Sequence, residues 1–155
     1  MKVFISHSMK DKNLVDALRS IAASLVIEPL IAEHIVDVQN TITAKIQSMI
    51  LDSDLVLVVL TQEGFNSTFV QHEVGFATGK KPILILVEKG YESKMSGFVY
   101  GSDYVSIDPW NPQPAFEQIQ RVLTNQKQQK EEQKRTEQLI LLGVGVLFFA
   151  ALTSE

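Results

Sequence analysis

The chain has 155 residues, 45% of them hydrophobic and 21% charged, with a net charge of −4. That length suits one domain with a single core and a short appendage, and the composition excludes a disordered polymer. The negative balance disfavours nucleic acid as a partner, and the absence of cysteine excludes disulfides and thiolate metal sites.

The first residues, Met1-Lys2-Val3-Phe4-Ile5-Ser6, lack the apolar run of a secretory signal, so a cytoplasmic location is expected. Residues 3–5 read as a short buried strand that stops at Ser6-His7-Ser8. Leu14, Ala17, Leu18, Ile21 and Leu25 then recur at helical spacing, with Ser8 and Asp11 spaced as a capping box. Residues 26–31 form a second strand, and Pro29 within it predicts an edge position. Residues 32–40 have no periodicity and read as a loop. Ile42, Ile46, Met49 and Ile50 mark a second amphipathic helix.

The run DLVLVVL at 54–60 has the near-continuous apolar character of a strand buried on both faces. A helix over 67–79 follows, stopped by Gly79 and Pro82. Residues 82–87 are a fourth strand and 88–101 a loop with at most a short helix. Residues 103–107 are a fifth strand. From Pro112 a last helix turns Phe116, Ile119, Val122 and Leu123 toward the body.

Strands alternating with helices imply right-handed crossovers and a parallel sheet. The expected fold is α/β: a flavodoxin-like five-stranded parallel sheet of order 2-1-3-4-5, with a C-terminal helical extension. In that order a ligand binds beyond the carboxyl ends of strands one and three, where the topology switches. Ser6-His7-Ser8 and Thr61-Gln62 emerge there, and the helix bearing Glu73 follows the second of these.

On a helical wheel, Phe69, Val70, Val74, Phe76 and Ala77 share an apolar arc of about 160°. Glu73 falls inside it, between Phe69 and Ala77. A carboxylate turned toward a core is costly unless it is paired or lines a cavity, and burial raises its pKa. Working carboxylates share that property, although structural ion pairs do too.

These residues resemble the TIR domain family. Val3-Phe4-Ile5-Ser6-His7-Ser8 is similar to the family's first box, and Asp11-Lys12 follows at the usual place. Residues 52–61 resemble its third strand. Ser67, Phe69 and Glu73 match the pattern S-x-[aromatic]-x-x-x-E that carries the catalytic glutamate of NAD⁺-hydrolysing members. The resemblance covers about residues 1–125. It departs from the family at Phe69, where Trp is commoner. It departs again at Asp37-Val38-Gln39-Asn40, which lacks the usual Pro-Gly of a loop that contributes to self-association.

The resemblance implies cleavage of the bond between nicotinamide and ribose, with NAD⁺ as substrate and no cofactor. Nicotinamide leaves NAD⁺ as a neutral ring, so no general acid is needed and one carboxylate suffices, unlike ordinary glycosidases. Glu73 is the catalytic candidate, holding the ribose hydroxyls and stabilising oxocarbenium charge. Ser6, His7 and Ser8 are candidate hydrogen-bond donors to ribose or phosphate, Ser8 and Ser67 also reading as helix caps. Phe4 and Phe69 are candidates for an apolar wall against the nicotinamide ring, core packing being the commoner fate. His7, His34 and His72 have no metal-ligand spacing, and no metal is expected.

The expected organisation is a TIR-like domain over 1–124, a polar helical linker over 125–138 and a hydrophobic helix over 139–152. The last, LILLGVGVLFFAAL, has no polar side chain. As a helix it spans roughly 21 Å, short of the ~30 Å hydrocarbon core. It reads equally as a short membrane anchor or as an oligomerisation helix packed on copies of itself, with Gly143 and Gly145 permitting close approach. Either arrangement concentrates copies of the domain, and the resemblance implies homo-oligomerisation through TIR–TIR contacts. The enzyme is expected to act in stress or immune-type signalling, and two other functions stand beside it: a non-catalytic TIR–TIR interaction or adaptor module, and a nucleoside deoxyribosyltransferase-like enzyme on a related sheet.

Overall fold

A computed structural model describes residues 1–32, 41–97 and 102–152. Its five strands are β1 (Lys2–Ser6), β2 (Glu28–Leu30), β3 (Leu55–Leu60), β4 (Ile83–Glu88) and β5 (Asp103–Ile107). They form one parallel sheet of order β2-β1-β3-β4-β5. β3 is buried along its whole length, as its unbroken apolar run requires at the sheet centre. Among the described residues β2 pairs only with β1, and Pro29, which has no amide to donate, sits on that edge.

Among the described residues five α-helices connect and cover the sheet: α1 (Lys12–Ser24), α2 (Thr41–Asp52), α3 (Gln62–Asn66), α4 (Thr68–Ala77) and α5 (Gln113–Leu152). Side chains alternate across each strand, so the core divides into two layers. Val3 and Ile5 face α1 and α5, packing with Leu18, Ile119 and Leu123. Phe4 faces α2 and α4, packing with Ile46, Ile50, Val70 and Val74. Ser6 continues the Phe4 side of β1 and reaches α4 through its hydroxyl.

The Ser8–Asp11 capping pattern caps a 3₁₀ turn at Met9–Asp11, and the α-helix begins one residue later. The Ser8 hydroxyl accepts from the Lys10 amide at 3.3 Å. At its other end α1 closes with bonds from Val26 N–H to Ala23 and from Ile27 N–H to Ala22, the pattern of a Schellman cap. Val26 therefore takes the left-handed residue's place at φ 55°, costly for a β-branched side chain.

α3 was not expected: its five residues are too few to show a helical period. Thr61 caps it, accepting from the Gly64 amide at 3.0 Å. Gly64 has to be glycine, because a Cβ there would stand 2.3 Å from the Val59 carbonyl oxygen.

α5 runs from the carboxyl end of the sheet past its amino end without interruption, so residues 125–138 continue a helix. Lys127 donates to the Leu25 carbonyl at 2.7 Å and Lys130 pairs with Asp54, fastening the helix as it leaves the domain. Farther on, Leu139, Ile140, Leu141 and Leu142 are all exposed. Among the described residues no helix is long and apolar enough to cross a membrane. The loop expected over 32–40 lies, from residue 33, outside the described residues, and so do Asp37 to Asn40 and His34.

Candidate active site

Ser67 ends an extended segment and starts α4, its hydroxyl accepting from the Val70 amide at 3.3 Å. The helix docks on the sheet through Val70, Glu73, Val74 and Ala77, spaced i, i+3, i+4, i+7. Glu73 is thus held between valines and is only 4% exposed. The wheel's apolar arc was wider than this face. Phe69 is half exposed and Phe76 partly buried, because compact residues let the helix approach the sheet while the two rings flank the contact.

The Glu73 carboxyl meets the tip of β1. The Ser6 hydroxyl, fully buried, donates to Oε2 at 2.5 Å. Oε1 is buried and has no partner among the described residues. Burial pushes the Glu73 pKa up from its ordinary 4.5 to about 7, against the opposing pull of the Ser6 hydrogen bond. Near neutral pH the group is therefore poised between its two charge states.

Glu73 lines a cavity of about 100 Å³ between α2 and α4, together with Thr43, Ile46, Gln47, Phe69, His72 and Phe76. This has room for a single ring. Sequence reasoning missed Thr43, Gln47, His72 and Phe76 as lining residues, because the α2–α4 packing that joins them is a tertiary contact with no local signal.

The other expected site residues spread around this centre. Phe4, expected as a wall for the nicotinamide ring, is instead fully buried and supports the site from beneath. The second expected wall residue, Phe69, lines the cavity. Ser67 and Ser8 both serve as caps. The His7 Nδ1–H donates to the Ile5 carbonyl at 3.1 Å, and burial holds the ring below the usual histidine range, hence neutral at pH 7.

A model of the TIR domain family matches residues 3–123. The chain belongs to the TIR domain family. Among solved structures, this TIR domain is similar in fold to the CMP N-glycosidase BcmB of Clostridium botulinum. The TM-score is 0.58 at 17% identity, over 77% of this chain and 97% of that chain. No curated protein matches the chain in sequence.

The TIR domain has a larger cavity, about 560 Å³, on the opposite face of the sheet. Its floor includes Leu14, Ile107 and Phe116, and its rim carries Asp11, Glu63 and Glu88 with Lys10. Asp11 accepts from the Thr61 hydroxyl at 2.9 Å, which ties the loops after β1 and β3 together at the topological switch. An acidic rim repels a pyrophosphate, so size alone does not make this cavity the place for a dinucleotide. Among the described residues no group of histidines and carboxylates is arranged to hold a metal ion.

Proposed function

We propose that this TIR domain cleaves the nicotinamide–ribose bond of NAD⁺, with Glu73 as the catalytic carboxylate. The observation that carries the reading is a buried carboxyl group, on a residue that lines a cavity, with one oxygen unpartnered among the described residues. Such a group costs stability unless a ligand completes it. Membership of the TIR family supports NAD⁺ as that ligand.

The chemistry fits a single carboxylate. The C1′–N bond breaks with its electron pair going to the ring nitrogen, which turns cationic nicotinamide into a neutral leaving group. Ionised Glu73 stabilises the positive charge that develops on the ribose. Water then adds to C1′ and loses a proton, giving ADP-ribose. CMP, the substrate in the name of the similar glycosidase, makes a harder demand: cytosine needs a proton to leave well. The described cavity offers only His72 besides Glu73 as a titratable group. The cationic substrate is therefore the better match.

The products enter stress or immune-type signalling, and self-association switches the activity on. Residues 125–138 act as a helical rod between the catalytic domain and the apolar residues 139–152. Those residues gather copies on one another or at a membrane surface. The catalytic end of the sheet points away from that tail.

The test is nicotinamide release from NAD⁺ by the full chain, alone and fused to a clustering tag, with CMP as a parallel substrate. Release that clustering raises and Glu73→Ala abolishes supports the reading. Cleavage of CMP alone changes the substrate class. Silence with enforced clustering favours the adaptor.

A further inference from the structure

Ser6 has a place in this site that its position in the sequence does not suggest. As a loop-tip hydroxyl it reads as a donor to ribose or phosphate. In the fold it is the last residue of β1, opposite Val58 on the central strand, and no part of it reaches solvent. Its one proton is committed to Glu73 Oε2. Glu73 is among the residues that line the α2–α4 cavity and Ser6 is not.

Glu73 needs such a partner. Its side chain has three rotatable bonds, and the aliphatic layer around it offers no directional contact. Among the described residues Ser6 makes the only hydrogen bond to the carboxyl, since Oε1 has none. The anchor is a strand paired through its backbone to the central strand, with Ser6 opposite Val58. Holding Oε2 there fixes the plane of the carboxyl group and leaves Oε1 as the oxygen for the ligand.

We propose that Ser6 is a positioning residue, which clamps Glu73 by Oε2 and reserves Oε1 for the sugar without touching the sugar itself. This rests on Glu73 being the working carboxylate. The same bond favours the ionised form against burial, so its loss moves the titration as well as the geometry.

The experiment compares the wild-type chain with Ser6→Ala and Ser6→Cys, each fused to a clustering tag. The cysteine variant nearly keeps the volume while offering a weaker donor, and it carries the test if the alanine variant does not fold. The Glu73 carboxyl is titrated by carbon-13 NMR, and nicotinamide release is measured across pH. In Ser6→Ala the Glu73 midpoint moves up by about one pH unit, the size of a hydrogen bond to a charged group. Above that midpoint kcat falls about tenfold while KM stays within about twofold, as for an interaction that acts in the transition state. Ser6→Cys falls between. A Glu73 midpoint unmoved in both variants overturns the proposal, and so does a raised KM with kcat unchanged, which would make Ser6 a substrate contact. If the wild type releases no nicotinamide, the NAD⁺ reading falls. The titration then decides alone, an upward shift supporting the clamp and an unmoved midpoint ending it.

Discussion

At the amino end of the sheet, Asp54 accepts from the Lys2 amide at 2.7 Å and pairs with Lys130 of α5. At the carboxyl end, Glu73 has one oxygen on Ser6 and the other on nothing among the described residues. The two carboxylates titrate in opposite directions as a result. Burial raises the Asp54 pKa, but Lys130 and the Lys2 amide outweigh it and hold the group below the usual aspartate range. Burial dominates at Glu73 and pushes it up. Asp54 is completed within the fold, whereas Glu73 is left with an oxygen open to a ligand, as the proposed chemistry requires.

The largest expected effect breaks the carboxyl end. Glu73→Gln keeps the volume and an acceptor for Ser6 but cannot bear negative charge. Nicotinamide release should fall by about 10²-fold or more, on the scale of losing one transition-state electrostatic contact. A Glu73→Gln enzyme with wild-type kcat would remove the carboxylate from the mechanism.

The same variant sharpens the contrast in stability. With a folded pKa of about 7 against an ordinary 4.5, folded wild type holds more protons than unfolded chain between those values. Its stability therefore falls as pH rises through that window and levels off above it, by on the order of 3 kcal/mol. Glu73→Gln lacks this penalty and should be the more stable protein at pH 8, with little difference near pH 4. Urea unfolding at the two pH values measures it, and equal losses for both proteins would contradict the assigned burial.

At the amino end the sign reverses. The Asp54 contribution is present above the ordinary aspartate range and is lost as pH falls through its lowered pKa. Asp54→Asn should cost about 1–2 kcal/mol at neutral pH, for a partly exposed contact with one charged partner, and leave the kcat of nicotinamide release unchanged. Loss of activity in that variant would show that the two ends are not separable.

Much of this contrast could not be read from the sequence. The strands were legible because β3 and β4 are continuous apolar runs and Pro29 marked the edge. Glu73 was legible because it interrupts an apolar helical face. Its partner was not: Ser6 and Glu73 are 67 positions apart, and only the sheet and helix together make them neighbours. The exposure of Phe69 escaped the wheel as well, since the wheel counts apolarity and cannot tell which apolar residues are compact enough to sit against a sheet. Lys127 and Lys130 looked like part of a solvated polar tract, and their contacts with Leu25 and Asp54 depend on where α5 happens to cross α1 and β3.

The smallest effect concerns a strained residue away from both carboxylates. Val26 is 80% exposed at φ 55°, so Val26→Gly loses no packing and relieves the left-handed backbone. The greater freedom of glycine in the unfolded chain offsets part of the gain. A net stabilisation of about 0.5–1 kcal/mol is expected, read as a shift in the urea midpoint with unchanged activity. A destabilised variant would contradict the cap assigned to α1.

The most direct test of the central claim is the pH dependence of kcat/KM for nicotinamide release from NAD⁺ by the clustered wild-type chain. In the proposed mechanism ionised Glu73 is the active form, which predicts a rise with pH through a single midpoint near 7, the value assigned to the buried carboxyl. A profile flat from pH 5 to 9, or one that falls through this range, would contradict it.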